Sequence, residues 1–381
     1  MRRALDIDGF QGGASGGIIA ESAGGSGNAV ARARRPVRAA LARRWHMSVF
    51  LEVEHVTIYR YNTPVEFSPH RVMFRPRAAH DIRVLSATLA ASPHSTQYWM
   101  HDVFSNSVAV VEPRVPADTL ELRARFVIEH FGVRNLELPV APEAENYPFQ
   151  YADEDRLDLA SFLPPQYPED QPLLRDWVAQ FLPRRGTTHT RDILANINAA
   201  IRSDFQYQSR DAMGTQRPSE TLNQRGGTCR DFALLMMEVV RGLGLAARFV
   251  SGYLYDQALD TPAAPAVRNT GLQQGARQIE SRDEPLVLGA GATHAWLHVF
   301  LPGAGWVPYD PTNSLVGGTD LIRVAYTRKP EQAAPVSGSW FGSAEDFIGM
   351  DVSVGVRRIE PPTEPALTGE RASPTPKADV S

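Results

Sequence analysis

The 381-residue chain is 43% hydrophobic and 22% charged with a formal net charge of −4, the make-up of a folded globular protein long enough for two ordinary domains. No window approaches the roughly eighteen consecutive apolar residues of a membrane span. The longest apolar run near Met1-Arg2-Arg3 is Gly17-Ile18-Ile19-Ala20, too short for a secretory leader, so a cytoplasmic protein is expected.

Residues 1–46 hold eight arginines against Asp6, Asp8 and Glu21, which is +5 and leaves −9 for the rest. An acidic body argues against nucleic acid as the main partner. Eight glycines between Gly9 and Gly27, then an Ala/Arg-rich run without apolar periodicity, predict a disordered arm over 1–46. The glycines near residue 12 lack the Gly-Lys-Ser/Thr of a phosphate loop. Met47 opens the first well-patterned segment and is a candidate start codon.

From residue 47 to about 133 the pattern is β. Leu120, Leu122, Ala124, Phe126 and Ile128 alternate with Glu121, Arg123, Arg125 and Val127, and Val49, Leu51 and Val53 alternate likewise. Turn residues at Asn62-Thr63-Pro64, Ser92-Pro93, Ser105-Asn106 and Pro113–Asp118 separate short strands, so a small antiparallel sandwich or barrel is expected. The Pro- and acid-rich stretch 134–170 reads as a linker, partly ordered by Tyr147, Phe149 and Tyr151.

Helical spacing follows in a second domain predicted over 171–359. Leu173, Leu174, Trp177, Val178 and Phe181 form one stripe, and Ile193, Leu194, Ile197 and Ile201 another. A third helix is predicted from Cys229 to Arg241, with Gly242 and Gly244 stopping it. Arg248–Tyr255 reads as a strand, and 256–292 as a Pro/Gly/Gln-rich surface insertion that could serve as a lid. His294–Leu301 and Trp306–Asp310 read as a hairpin around Pro302-Gly303-Ala304-Gly305. The Pro-rich tail from 360 is expected to be disordered. The class is therefore α+β.

A single cysteine excludes an internal disulfide framework and any cysteine-rich metal site, and no metal-ligand cluster or cofactor motif is found. What remains is nucleophile chemistry. A thiol nucleophile needs stabilisation of its thiolate, a base within reach, a group orienting that base, and oxyanion donors. Cys229 follows Arg225-Gly226-Gly227-Thr228 and opens an amphipathic helix, whose free N–H groups and partial positive charge favour a thiolate. Its own backbone N–H is a natural oxyanion donor. His294 and Asp310 are symmetric about position 302 in the proposed turn, which would set them opposite each other. A one-residue register error would part them.

The stretches GGTCRDFALLMMEVVRGLGLAARFVSGYLY and HAWLHVFLPGAGWVPYDPTNS resemble the transglutaminase-like core of the papain-like cysteine enzyme superfamily, helices packed on an antiparallel sheet. The resemblance continues through LIRVAYTRKPEQAAPVSGSWFG, and PVEFSPHRVMFRPR resembles the β-rich N-terminal domain of bacterial members. It implies a Cys–His–Asp triad of Cys229, His294 and Asp310, acting on a peptide, isopeptide or Gln-type amide of a protein or peptide substrate. The sequence departs from relatives at Thr228, often a valine, and at Leu321, often a histidine. The calcium dependence of the animal enzymes does not carry over, because no calcium-loop spacing is present.

Each residue has a plainer reading. Cys229 could be a buried structural thiol, His294 a strand-end histidine and Asp310 a turn initiator before Pro311. His298, on the same strand face as His294, is a fallback base, and Asp231 reads as a helix-capping residue. Tyr207 or Gln208 is a candidate second oxyanion donor, and Trp296 and Trp306 read as hairpin packing. Two other functions compete: an arylamine N-acetyltransferase, whose Arg-Gly-Gly-x-Cys motif Arg225–Cys229 satisfies, although that family's nucleophile comes early in the chain, and a non-catalytic peptide-binding or assembly module on the same fold.

Overall fold

A computed structural model of the chain describes residues 48–131, 139–208, 210, 214–257, 288, 292–318 and 320–361. The arm expected over 1–46, nearly all of the 256–292 insertion and the tail from 362 lie outside them.

The first half is β, as its alternation demands. Strand β1 (Val49–Phe67) buries Leu51, Val53, His55 and Thr57 and turns Glu52 and Glu54 outward. After β2 (His70–Val72), β3 (Ile82–Ser92), β4 (Ser95–His101) and β5 (Ser107–Pro113), β6 (Ala117–His130) buries Leu120, Leu122, Ala124, Phe126 and Ile128, the face read from the sequence. β1, β6 and β3 form one antiparallel sheet, and β2, β5 and β4 belong to another. Val72, Phe74, Ala109 and Val111 pack between the sheets on Leu120, Leu122 and Ala124. Farther along β6, Phe126 and Ile128 turn to the second half of the molecule, where the Phe126 ring lies 5.5 Å from Tyr253.

The stretch expected as a linker is instead structured through 139–170. It contains β7 (Asn146–Tyr147) and helix α1 (Asp153–Asp158), and Tyr151 Oη donates to the Phe300 carbonyl at 2.8 Å while accepting from Ala246 N–H at 3.0 Å. Its aromatics are the reason. Phe149, Tyr151 and Phe162 bury against Ala246, Phe300 and Trp306, which offsets the cost of ordering a proline-rich segment.

Helices α2 (Gln171–Val178), α3 (Thr190–Asp204), α4 (Pro218–Gln224) and α5 (Cys229–Gly242) follow, with β8 (Thr188–His189) ahead of α3. Leu173, expected inward, is exposed, and Leu174, Trp177 and Val178 carry the buried stripe of α2. The parallel pair β9 (Gln206–Tyr207) and β10 (Gly226–Gly227) brackets α4 and leads into α5. The second sheet of the core runs β14 (Leu315–Val316), β13 (Gly305–Asp310), β12 (Thr293–Leu301), β11 (Ala247–Leu254), β15 (Leu321–Thr327), all antiparallel. Helix α5 is buried along nearly its whole length against the Leu297 and Val299 face of this sheet.

The boundary expected at 359 for the second domain is corrected by the chain's return. β16 (Val336–Ser337) pairs with β2, β17 (Trp340–Phe341) with the end of β1, and β18 (Phe347–Ile359) runs antiparallel along β1 from Phe50 to Tyr61. Val354 and Val356 of β18 join the buried cluster, and Arg357 pairs with Glu52 across the strands. β1 would otherwise present a long unpaired edge, and β18 closes it.

Candidate active site

Three elements meet at one end of the core sheet. Thr228 precedes the first turn of α5, and Asp231 ties that turn down: its carboxylate accepts the Thr228 N–H at 2.8 Å, the Thr228 hydroxyl at 2.9 Å, the Gln216 N–H at 2.7 Å and Arg210 at 2.9 Å. Asp231 is therefore a capping residue with a saturated carboxylate. Gly227 has to be glycine, since a Cβ there would lie 2.9 Å from the Asp231 Cβ. Arg225, at the end of α4, takes the left-handed conformation (φ 50°), a costly turn for a side-chain-bearing residue that aims the Gly-Gly segment into the helix. Cys229 then sits at the first helical position, buried, where the N–H groups of Cys229 and Arg230 lack acceptors within the helix.

The hairpin supplies the partners. Its register pairs Leu297 with Tyr309 and Leu301 with Gly305, so the loop is Pro302-Gly303-Ala304, one residue shorter than expected, and the axis lies at 303. Asp310 thus falls opposite Trp296, and His294 is its diagonal neighbour rather than directly opposite. The shift preserves the face, because it moves the pairing by two positions in total. His294 Nε2 lies 2.9 Å from Asp310 Oδ2, both side chains fully buried. Asp310 also accepts the Thr312 N–H at 3.0 Å and the Asn313 side-chain amide at 2.9 Å. Burial raises the Asp310 carboxyl, but the His294 charge and hydrogen bond, then Asn313 and Thr312, bring it below its ordinary value.

His294 Nδ1 has no hydrogen-bond partner among the described residues, and Cys229 lies close enough to this imidazole to favour its protonated form. Burial works against the imidazolium. The Asp310 charge and hydrogen bond, followed by Cys229, outweigh it and raise the histidine to about 10. The ring stacks on Trp296 at 6.0 Å, a side chain that is buried in the sheet and serves packing. Gly252, paired with His294 on the neighbouring strand, leaves room for this arrangement: a Cβ there would overlap the Ile322 carbonyl oxygen and approach Trp296 Cη2 to 2.8 Å.

The other named residues divide. Tyr207 is half-buried with its ring 6.4 Å from Phe232; burial raises its phenol and Cys229 raises it further, so its hydroxyl stays neutral. Gln208 is exposed, and its N–H is spent on the Gly227 carbonyl at 2.9 Å. His298 lies four residues along the strand from His294. Burial and then Arg248 push it well below its ordinary value, and its Nδ1 meets Arg248 at 3.2 Å. Trp306 is half-buried with Arg248 over its ring at 4.2 Å. Asn313 went unnamed in the sequence. It joins Asp310 to the backbone of Leu288, whose N–H and carbonyl it holds at 2.8 and 3.0 Å. The Asp-Pro-Thr-Asn turn was its signal, since an Asn three residues past an Asp in a tight turn readily bonds back to it.

Residues 51–129 match the bacterial transglutaminase-like N-terminal region, and residues 178–311 match the transglutaminase-like superfamily core. An uncharacterised protein of Mycobacterium tuberculosis is 27% identical over 322 residues, covering 81% of this chain and 92% of its own. One of Mycobacterium leprae is 26% identical over 310 residues, covering 81% and 99%. A solved structure described as a candidate cysteine protease of Cytophaga hutchinsonii shares the fold at a TM-score of 0.55 and 15% identity, covering 82% of this chain and 92% of its own. Behind a bacterial transglutaminase-like N-terminal region, residues 178–311 thus belong to the transglutaminase-like superfamily.

Proposed function

We propose that the protein is a cysteine-dependent acyl-transfer enzyme acting on a peptide, isopeptide or Gln-type amide. The observation that carries this reading is the meeting of Cys229 with a buried His294–Asp310 pair, brought from separate elements to a helix N-terminus. His294 accepts the thiol proton, and the N-terminus of α5 favours the thiolate that results. The sulfur attacks the amide carbon and forms a C–S bond, and negative charge collects on the carbonyl oxygen. The Cys229 N–H donates to that oxygen, and the Tyr207 hydroxyl is our candidate for the second donor. The imidazolium gives its proton to the departing nitrogen, the C–N bond breaks, and ammonia or an amine leaves a thioester on Cys229. His294 next takes a proton from water or an amine as that acceptor attacks the thioester, which restores the thiolate–imidazolium pair. Asp310 holds the ring in the required tautomer throughout.

Water as acceptor makes the enzyme an amidase or protease; an amine makes it a transglutaminase. The test is turnover of a Gln-containing peptide with and without a primary amine, reading ammonia, the free acid and the amine adduct together. The proposal expects at least one product, lost in Cys229→Ala. Persistence of turnover in Cys229→Ala would refute it.

A further inference from the structure

The first domain carries a cleft that the acyl-transfer reading does not use. It is about 490 Å³ and lined by Arg75, Arg77, Ala78, His101, Ser105 and Ser107, without a carboxylate. The nearest acid in sequence, Asp102, is consumed by its own turn: it accepts the N–H groups of Phe104 and Asn106 and the Asn106 amide at 2.8–2.9 Å. Arg75 lies over the Trp99 ring at 5.9 Å, and Arg77 lies over Tyr326 at 5.5 Å while giving one N–H to the Phe104 carbonyl at 2.8 Å.

Charge accumulates behind this cleft. Arg248 is held between Tyr326 at 3.7 Å and Trp306 at 4.2 Å, with its Nε buried and unpartnered. Burial acts against its charge, and so do Arg323 and Arg77. Arg323 is neutralised by a bidentate pair with Asp81. Among the described residues, Arg75, Arg77 and Arg248 have no carboxylate partner. Arg75 and Arg77 are half-buried in the cleft without an acidic partner, so an incoming carboxylate would meet two positive charges there and no negative one.

The adjoining strand says what form the anion takes. β4 (Ser95–His101) is an edge strand, with Tyr98, Trp99 and Met100 exposed along it and His101 at its end in the cleft. An open edge offers backbone donors and acceptors to an extended chain, and alternate side chains of that chain would fall toward the cleft. We propose that β4 and the Arg75–Arg77 cleft together form a docking site for an extended, acidic peptide segment. The Arg77 N–H reaches the Arg323 carbonyl at 3.5 Å, and Arg323, Gly252 and His294 stand side by side on adjacent strands. At ~4.8 Å per strand, the cleft lies on the order of 15 Å from His294. The binding itself does not depend on catalysis at Cys229.

The test uses the full-length Cys229→Ala protein and fluorescence anisotropy with a labelled peptide of four consecutive glutamates and its all-Gln counterpart. The Glu peptide is expected to bind at least tenfold tighter than the Gln peptide at low salt and to weaken as salt screens the cleft. Arg77→Gln should remove most of that difference. Arg75→Gln, which breaks no hydrogen bond among the described residues, should do the same with the melting temperature unchanged. Equal binding of the two peptides, indifference to both arginine variants, or a preference for single-stranded oligouridine over the Glu peptide would each overturn the proposal.

Discussion

Asn313 shows how much of the site depends on residues that touch no substrate. Its amide fills the lone pair of Asp310 Oδ2 that His294 leaves, and its carbonyl and amide both grip Leu288. Asn313→Ala should lower kcat five- to tenfold or more, with little change in KM, because the ring of His294 loses its anchor rather than the substrate its contacts. Steady-state kinetics separates the two, and Asn313→Asp, which places a second carboxylate beside Asp310, should not rescue. Cys229, His294 and Asp310 were themselves legible in the sequence, through the Gly-Gly entry to a helix and the near-symmetry of the hairpin. The bond from Asn313 to Asp310 was legible in the Asp-Pro-Thr-Asn turn, but its hold on Leu288 and the surroundings of Tyr207 are set by packing that no local pattern encodes.

At the scale of elements, the hairpin and the helix were readable because their signals are local. The expected loop is one residue longer than the observed one, and the difference is harmless only because the pairing shifts by an even number of positions. Non-local pairing was another matter. β18 alternates weakly and follows a complete-looking domain, so nothing nearby announces that its partner is β1, almost three hundred residues earlier. The neighbouring strand β11 supplies a sharper prediction. Gly252→Ala has to push either Ile322 or Trp296, so it should destabilise by about 1–3 kcal/mol and slow the thiol's reactions by displacing His294. Urea unfolding measures the first effect. A variant with wild-type stability and wild-type reactivity would show that the strands have room to spare.

Across the whole molecule, the two halves meet through buried polar groups whose titration has a sign. His55 of β1 is within 2.9 Å of the Tyr253 hydroxyl on β11 and 3.1 Å of Thr57, and burial lowers it to about 3. Burial lowers His130 and His298 as well, despite the opposing pull of Asp81 on His130. These histidines stay neutral when folded and take up protons when unfolded near their ordinary value of about 6.5. The unfolded state therefore binds more protons below that pH, so stability is full above it and falls as pH drops toward 3. His294 has the opposite sign, with its contribution complete below about 6.5 and lost as pH rises toward 10. Urea midpoints should accordingly fall from pH 7.5 to pH 5, and His55→Gln should flatten part of that slope.

The central claim is that His294, backed by Asp310, holds Cys229 as a thiolate. It is tested most directly by the rate at which iodoacetamide alkylates the single cysteine between pH 5 and 9, in wild type and in His294→Ala. The account predicts rapid alkylation at pH 6, where a free thiol with its pKa of ~8.5 is almost unreactive, and a loss of at least tenfold at that pH in the variant. Alkylation that rises tenfold per pH unit like an ordinary thiol, with the two proteins alike, would contradict it.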